Sequence, residues 1–189
     1  HYQSIFESVY GTDPSKYPEI IWNMGNHEWW DINEHDTVCA VSLFNQYANI
    51  DSPYLVARSS VKYSLDSSVT IPTYYKVVKG IPFLVISGEN SAGLVSTTLQ
   101  NEIQGWLEDI SNLDSVKAGG PIYVCYHCPL SSTFTFGEGS TSKADAVTNL
   151  LKNYPQAVVF TGDTHYPGVN ERAINQVDFT TINIGSSSY

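Results

Sequence analysis

The stretch Met24-Gly25-Asn26-His27-Glu28 decides how the rest of the chain is interpreted. It places an amide oxygen, an imidazole and a carboxylate at three consecutive positions, and such groups bind hard or borderline divalent metals. The apolar run before it, residues 19–24, predicts a buried strand, and Gly25 allows a tight turn at its end. In α/β proteins, side chains at the carboxyl end of a strand often meet the ligand. The alternative is a polar loop in which His27 only caps a neighbour.

Two further clusters of this kind follow predicted strands later in the chain. The apolar run 121–126 leads directly to His127, and the run 157–161 leads to Asp163 and His165. Because the carboxyl ends of strands in one α/β sheet lie along the same crevice, we expect the three clusters to converge. Their mixed oxygen and nitrogen ligands, without a thiolate, favour Mn, Fe or Zn over a soft-metal site.

The composition predicts a single globular domain over residues 1–189. Hydrophobic residues make up 42% of the chain and charged residues only 15%, which argues against disorder. The net charge of −10 argues against a duplex nucleic-acid binder, which would carry a basic face. No apolar run approaches the roughly 20 residues that a membrane-spanning helix needs. Few lysines and many Tyr, Ser and Thr point to a secreted or extracytoplasmic location, whereas the oligomeric state does not follow from the sequence.

Three cysteines are too few, and odd in number, for a disulfide framework. Cys125 and Cys128 form a C-x-x-C, but it follows an apolar run rather than opening a helix. A buried or half-buried thiol pair is therefore favoured over a redox site.

Hydrophobic periodicity predicts the remaining helices and strands. Helices are expected over residues 2–10, 37–47, 97–110 and 145–153, and strands over 61–65, 74–78, 81–87, 121–126, 157–161 and 179–184. The Lys79-Gly80 pair predicts a two-residue hairpin, which makes residues 61–87 a β-meander with 83–86 as its most buried part. Residues 131–142, rich in Ser, Thr and Gly, predict a mobile loop over the end of the strand 121–126.

Three motifs carry a resemblance to a known family. Gly25-Asn26-His27-Glu28, the lone histidine of Tyr126-His127-Cys128-Pro129-Leu130, and Gly162-Asp163-Thr164-His165 resemble the third to fifth motifs of calcineurin-like metallophosphoesterases. In that family the motifs read G-N-H-[D/E], a lone His and G-H-x-H. The resemblance extends over nearly the whole chain and implies the α/β (α+β) class, as a four-layer α/β/β/α sandwich with two divalent metals between strand ends. It also implies hydrolysis of a small-molecule phosphomonoester or phosphodiester by a metal-activated hydroxide.

The resemblance also assigns roles to individual residues. Asn26 and His127 would bind the second metal, His165 would bind the first, and His27 would be the catalytic histidine that stabilises the phosphoryl oxygens or protonates the leaving group. Asp163 stands where the family has a histidine ligand of the second metal. An aspartate can bind the same metals through oxygen, or it can accept a hydrogen bond from His165 instead.

Trp29 and Trp30 follow the first motif directly and are candidates for the wall of a substrate pocket. The alternative is that both rings are simply packed against the protein.

The first two motifs of the family, D-x-H and G-D-x-x, are not found ahead of Gly25, where they belong. They would supply most of the first metal site and the bridging carboxylate. We therefore expect a truncated domain, incomplete at its N-terminus, that binds one metal or none and is inactive or weakly active as a fragment of a metal-dependent phosphoric ester hydrolase. The alternatives are a non-catalytic family member acting as a binding or surface module, and a single-metal hydrolase built from the ligands that remain.

Overall fold

The protein is built around a seven-stranded mixed sheet with flanking helices. The computed structural model describes residues 2–13, 16–25, 29, 41–42, 44–45, 48, 50–64, 66–90, 93–130, 141–163 and 173–184. The helices are α1 (Tyr2–Tyr10), α2 (Thr97–Ser111), α3 (Asp114–Lys117) and α4 (Thr141–Leu151). The strands are β1 (Leu55–Arg58), β2 (Lys62–Tyr63), β3 (Asp66–Thr70), β4 (Tyr74–Val78), β5 (Ile81–Ile86), β6 (Ile122–Tyr126), β7 (Ala157–Thr161), β8 (Ile174–Gln176) and β9 (Thr180–Asn183).

The large sheet has the strand order β1-β4-β5-β6-β7-β9-β8. Strands β5, β6, β7 and β9 run parallel, and the pairs β1–β4, β4–β5 and β8–β9 are antiparallel. Helix α2 lies in the connection from β5 to β6, and α4 in the connection from β6 to β7, as parallel neighbours require. This arrangement confirms the α/β class and agrees with the mixed sheet and helices of the metallophosphoesterase fold. It also brings the carboxyl ends of β5, β6 and β7 to one edge of the sheet.

The main hydrophobic core lies between this sheet and the helices α2 and α4. The inward stripe of α2 is fully buried, as the periodicity of the sequence predicts, and it packs with alternate residues of the parallel strands. The buried positions are Leu99, Ile103, Leu107 and Ile110 from α2, Leu84, Ile86, Val124, Tyr126 and Val159 from the strands, and Val147 and Leu151 from α4. Helix α2 begins at the N-cap Ser96, whose hydroxyl accepts a hydrogen bond from Leu99 N at 3.3 Å.

The predicted hairpin at Lys79-Gly80 is confirmed. Both residues have positive φ, +51° and +82°, which is the backbone of a type I′ turn and matches the twist of the flanking strands. The hairpin joins β4 to β5 with a regular register from Val78↔Ile81 to Tyr74↔Val85.

The predicted meander over residues 61–87 is wrong in its first part. Strand β2 pairs with β3 in a separate two-stranded sheet, and the outer neighbour of β4 is β1, from a segment in which the sequence predicts no strand. Strands β1, β2, β3 and β8 have two to five residues each. Strands β2 and β8 are shorter than the roughly four residues from which periodicity identifies a strand, and β3 is largely polar.

The predicted strand over residues 19–24 is also wrong, because residues 18–25 have no regular secondary structure. The segment is anchored by side chains instead. The Tyr74 hydroxyl donates to Trp22 O (2.7 Å) and accepts from Trp22 N (3.1 Å), and the Glu19 carboxylate accepts from Ser52 Oγ (2.8 Å). Side-chain contacts, rather than a ladder of backbone hydrogen bonds, therefore hold the aromatic and apolar residues of this segment in place.

The helix predicted over residues 2–10 is present as α1, but its expected apolar face is not covered at two positions. Ile5 and Val9 are both exposed. The helix predicted over 37–47 lies largely outside the described residues, of which 41–42 and 44–45 are helical. Residues 131–140 of the predicted loop lie outside them as well, whereas residues 141 and 142, predicted to belong to the loop, form the start of α4. Among the described residues, none of the helices has the length and apolar content to cross a membrane.

Candidate metal centre at the strand ends

Strands β6 and β7 place His127 and Asp163 side by side. Both residues follow the ends of their strands, and Gly162 N donates a hydrogen bond to His127 O at 3.0 Å, which continues the pairing beyond the sheet. The side chains meet with Nε2 of His127 at 3.3 Å from Oδ1 of Asp163. The convergence that the sequence predicts for the fourth and fifth motifs is therefore present in the structure.

Asp163 has a strained backbone. Its φ is +68°, in the left-handed region that costs free energy for a residue with a Cβ. Aspartate tolerates this region better than most residues, but strain of this kind is typical of functional sites. The conformation positions the carboxylate against His127 directly after the sheet ends.

The distance between the two side chains suits two ligands of one cation. Metal–nitrogen and metal–oxygen bonds of about 2.0–2.2 Å place neighbouring ligand atoms roughly 3.0–3.4 Å apart. The two side chains are 24% and 36% exposed, so a cation can reach them from solvent. The same distance also suits an ion pair between Asp163 and a protonated histidine.

A tight depression, too narrow to admit a water molecule, lies beside His127 at the same edge of the sheet. Its wall comes from the segment before the first motif, from the turn after β5 and from the end of β6. The lining residues are Met24, Gly25, Trp29, Ser87, Asn90, Gly93, Tyr126, His127 and Cys128.

The turn after β5 is held tightly against the end of β6. Gly93 has a φ of +69°, and a Cβ at this position would lie 2.8 Å from the Tyr126 hydroxyl and would also overlap Cys128 Sγ. The Tyr126 hydroxyl donates to Gly93 O at 2.8 Å and hydrogen-bonds to the Cys128 thiol. Burial, followed by the nearby Cys128 and Asp163, raises the pKa of Tyr126, so its hydroxyl stays protonated as a donor. These contacts fix the residues on both sides of His127.

The two thiols of the C-x-x-C form no disulfide and are half-buried, as predicted. Cys125 packs in a small cluster with Tyr74 and Val85, whereas Cys128 packs against the main core and lines the depression. Burial raises the pKa of Cys125 to about 11, which makes its thiol a poor nucleophile at neutral pH.

Trp29 is placed in the wall of the depression with only 3% of its surface exposed. Its ring lies 5.3 Å from the ring of Tyr63, at an interplanar angle of 42°. Its Nε1 is buried and has no hydrogen-bond partner among the described residues. The ring of Trp29 is therefore packed against the protein and also lines the depression, while its part in substrate binding stays a prediction.

The other predicted site residues, Asn26, His27, His165 and the substrate-binding candidate Trp30, lie outside the described residues, as does Glu28. Within the described part of the chain, no group of three His, Cys, Asp or Glu side chains is placed to hold a metal. His127 and Asp163 are thus the described members of the predicted ligand set.

Sequence reasoning missed Ser87, Asn90 and Gly93 as neighbours of the site. Ser87 directly follows β5, which is the parallel neighbour of β6, so the rule that strand ends converge could have identified this turn. The turn contains no metal-binding motif, so its sequence carries no direct signal for a site.

Comparison with known proteins gives one family. The sequence model of the calcineurin-like phosphoesterases matches residues 5–167, a range that contains all three motifs and the pair of His127 and Asp163. No curated protein and no solved structure matches the chain significantly. Because the match covers most of the sequence and agrees with the mixed sheet, the chain belongs to the calcineurin-like phosphoesterase family.

Proposed function

We propose that this protein is a metal-dependent phosphoesterase in which His127 and Asp163 bind one divalent cation at the carboxyl edge of the sheet. Members of the family are generally phosphoric ester hydrolases and usually bind divalent metals. The observation that carries the proposal is the 3.3 Å approach of His127 Nε2 to Asp163 Oδ1, at the positions of the fourth and fifth family motifs.

The donor set suits Mn, Fe or Zn. An imidazole nitrogen and a carboxylate oxygen are ligands that these ions accept, and the carboxylate gives the site a harder and more negative character than a second histidine would. Asn26 and His165 are the further candidate ligands, and His27 is the candidate catalytic histidine, all three by their positions in the motifs. A bound cation would supply Lewis-acid activation of the phosphate and of a water molecule.

The charge of the chain supports a need for metal. A protein with a net charge of −10 repels an anionic phosphate ester unless a local positive charge attracts it. The residues that line the depression include no lysine and no arginine. A divalent cation between His127 and Asp163 would reverse the local field, and a small-molecule phosphate ester could then bind there.

A metal-binding measurement tests the proposal. The purified chain would be incubated with Mn²⁺ or Zn²⁺, desalted and analysed for metal, and then assayed with an activated phosphomonoester and an activated phosphodiester. We expect bound metal that is lost in the variant Asp163→Asn, with an affinity reduced by at least about 100-fold, since even the outer partners of metal ligands contribute about 10–100-fold.

The matched control is Asp109→Asn, which removes an exposed carboxylate on α2 and should leave metal binding unchanged. Metal binding without turnover of either ester would favour the alternative, a non-catalytic binding module. Failure of the wild-type chain to retain metal would contradict the proposal.

A further inference from the structure

The Asn23 side chain contacts the end of the sheet just before the motif Gly25-Asn26-His27-Glu28 begins. The Ser87 hydroxyl donates to the amide oxygen of Asn23 at 3.0 Å. Residues 18–25 belong to no strand, so side-chain contacts decide where this segment lies. Asn23 stands two positions before Gly25 and three before the candidate ligand Asn26. The contact with Ser87 therefore lies where the segment leads into the motif.

Ser87 is itself firmly held by the sheet. It directly follows β5, the parallel neighbour of β6, and β6 ends one residue before His127. Its backbone N–H donates to Thr73 Oγ1 at 3.1 Å, and its hydroxyl is shared with Pro72 O at 2.7 Å. Only 4% of Ser87 is exposed. A side chain that is hydrogen-bonded to Ser87 is therefore fixed relative to the edge of the sheet.

The contact between Asn23 and Ser87 lies beside the candidate metal centre. Met24 and Gly25, the two residues after Asn23, line the depression together with Ser87 and His127. Ordering a segment when a ligand binds costs conformational entropy, and a segment that is already held in place avoids this cost. A hydrogen bond that keeps Gly25 near His127 in the metal-free protein would therefore favour metal binding by a ligand that follows Gly25.

We infer that Asn23 is a positioning residue of the metal centre, because its hydrogen bond to Ser87 fixes the point from which the candidate ligand Asn26 follows. This inference rests on the proposed function, in which Asn26 joins His127 as a ligand of the cation. It gives Asn23 a role in metal affinity without any contact with the metal.

The variant Asn23→Ala tests this role, since it removes the contact and leaves the hydrogen bond from Ser87 to Pro72 in place. Mn²⁺ would be titrated into the protein by calorimetry, and the thermal midpoint would be measured on the metal-free protein. We expect Mn²⁺ to bind about 2- to 10-fold more weakly, which is the contribution of one neutral hydrogen bond expressed as affinity.

A double variant distinguishes positioning of Asn26 from a general effect on the protein. Asn26 has a neutral amide, so Asn26→Ala should weaken Mn²⁺ binding and leave the charged ligands to keep it measurable. If Asn23 acts through Asn26, then adding Asn23→Ala to Asn26→Ala should cause no further loss of affinity.

The matched control is Asn45→Ala. Asn45 is a half-buried asparagine that does not line the depression. Its amide donates to Thr70 O at 3.2 Å and accepts from Arg58 Nη2 at 3.0 Å. The control thus removes one hydrogen bond more than Asn23→Ala does, and it should bind Mn²⁺ as tightly as the wild type.

The outcomes separate the inference from the proposed function. If the wild type binds Mn²⁺ and Asn23→Ala binds it equally well, the inference is overturned and the proposed function stands. The inference also fails if Asn23→Ala weakens binding equally in the Asn26→Ala background, or if it lowers the thermal midpoint by more than Asn45→Ala does. If the wild-type chain binds no metal, the proposed function fails first, and the inference fails with it.

Discussion

Two pairs, each of a basic and an acidic side chain, differ in their surroundings, and the difference separates the frame of the molecule from its candidate site. Lys76 and Glu19 lie 2.5 Å apart, with side chains that are 0% and 13% exposed. His127 and Asp163 lie 3.3 Å apart and are 24% and 36% exposed. The first pair is enclosed by protein, whereas the second is open to solvent beside a depression.

The partners of the first pair explain its structural role. Ser52 Oγ adds a hydrogen bond to the Glu19 carboxylate, and the Lys76 ammonium lies 5.5 Å from the centre of the Tyr74 ring. The pair thereby holds residues 18–25, which have no backbone ladder, against strand β4. Desolvated groups with fixed partners are not available to a ligand. The exposed pair keeps its atoms accessible, and the strained backbone of Asp163 fits a role in binding rather than in stability.

The largest effect is expected from breaking the buried pair. Glu19→Ala leaves the Lys76 charge buried without its carboxylate, and we expect a loss of about 3–5 kcal/mol in the free energy of unfolding, measured by urea denaturation. The control is Asp51→Ala, which breaks the more exposed pair with Arg58 (3.1 Å) and should cost no more than about 1 kcal/mol. Equal losses in the two variants would contradict the structural role of Glu19.

The corresponding change in the exposed pair of His127 and Asp163 should affect metal binding and not folding. His127→Ala is expected to weaken metal binding by about 100-fold or more, and to change the free energy of unfolding of the metal-free protein by less than about 1 kcal/mol. Calorimetric titration with Mn²⁺ and urea denaturation would measure the two effects. If both residues bind one cation, the double variant with Asp163→Asn should lose less than the sum of the single losses. Additive losses would indicate two independent sites.

A smaller and pH-dependent effect is expected at Tyr74, next to the buried pair. Tyr74→Phe removes the two hydrogen bonds to Trp22 and should cost about 1–2 kcal/mol at pH 7. Burial is the main cause that raises the pKa of Tyr74 above its ordinary value of 10.0. As the pH rises past that value, the unfolded chain releases this proton before the folded chain does, so wild-type stability should fall. The variant lacks this contribution, and its deficit relative to the wild type should shrink between pH 8 and pH 10.5. A deficit that grows over this range would show that the sign is wrong.

The smallest effect is expected from relieving the backbone strain at Asp163 in the exposed pair. Asp163→Gly removes the penalty of the left-handed conformation but adds freedom to the unfolded chain, so stability should rise by about 0–1 kcal/mol while metal affinity falls. Lys79→Gly is the control, because Lys79 also has positive φ but lies in the β4–β5 hairpin. It should give a similar gain in thermal denaturation without any change in metal binding. A loss of stability in Asp163→Gly would mean that the carboxylate supports the fold.

Sequence patterns predict the central strands of the sheet well and its short edge strands poorly. Strands β5, β6 and β7 and helix α2 were predicted within one or two residues, because long apolar runs and a helical stripe give strong signals. The segment 19–24 was assigned to a strand because its apolar residues are packed, although side chains and not strand partners hold it. Local periodicity reports burial, but it does not report which backbone groups pair.

The sequence by itself determined the family and the convergence of the fourth and fifth motifs, because both depend on short local patterns at the ends of predictable strands. Only the tertiary structure decided the local environment of each charged or polar group. Glu19 and Lys76 are 57 positions apart, and no local pattern predicts that they meet in a desolvated contact. The orphaned N–H of Trp29 depends in the same way on the elements that enclose it. Burial and the availability of a partner arise from packing between distant segments, and these two quantities distinguish a structural pair from one that can bind a ligand.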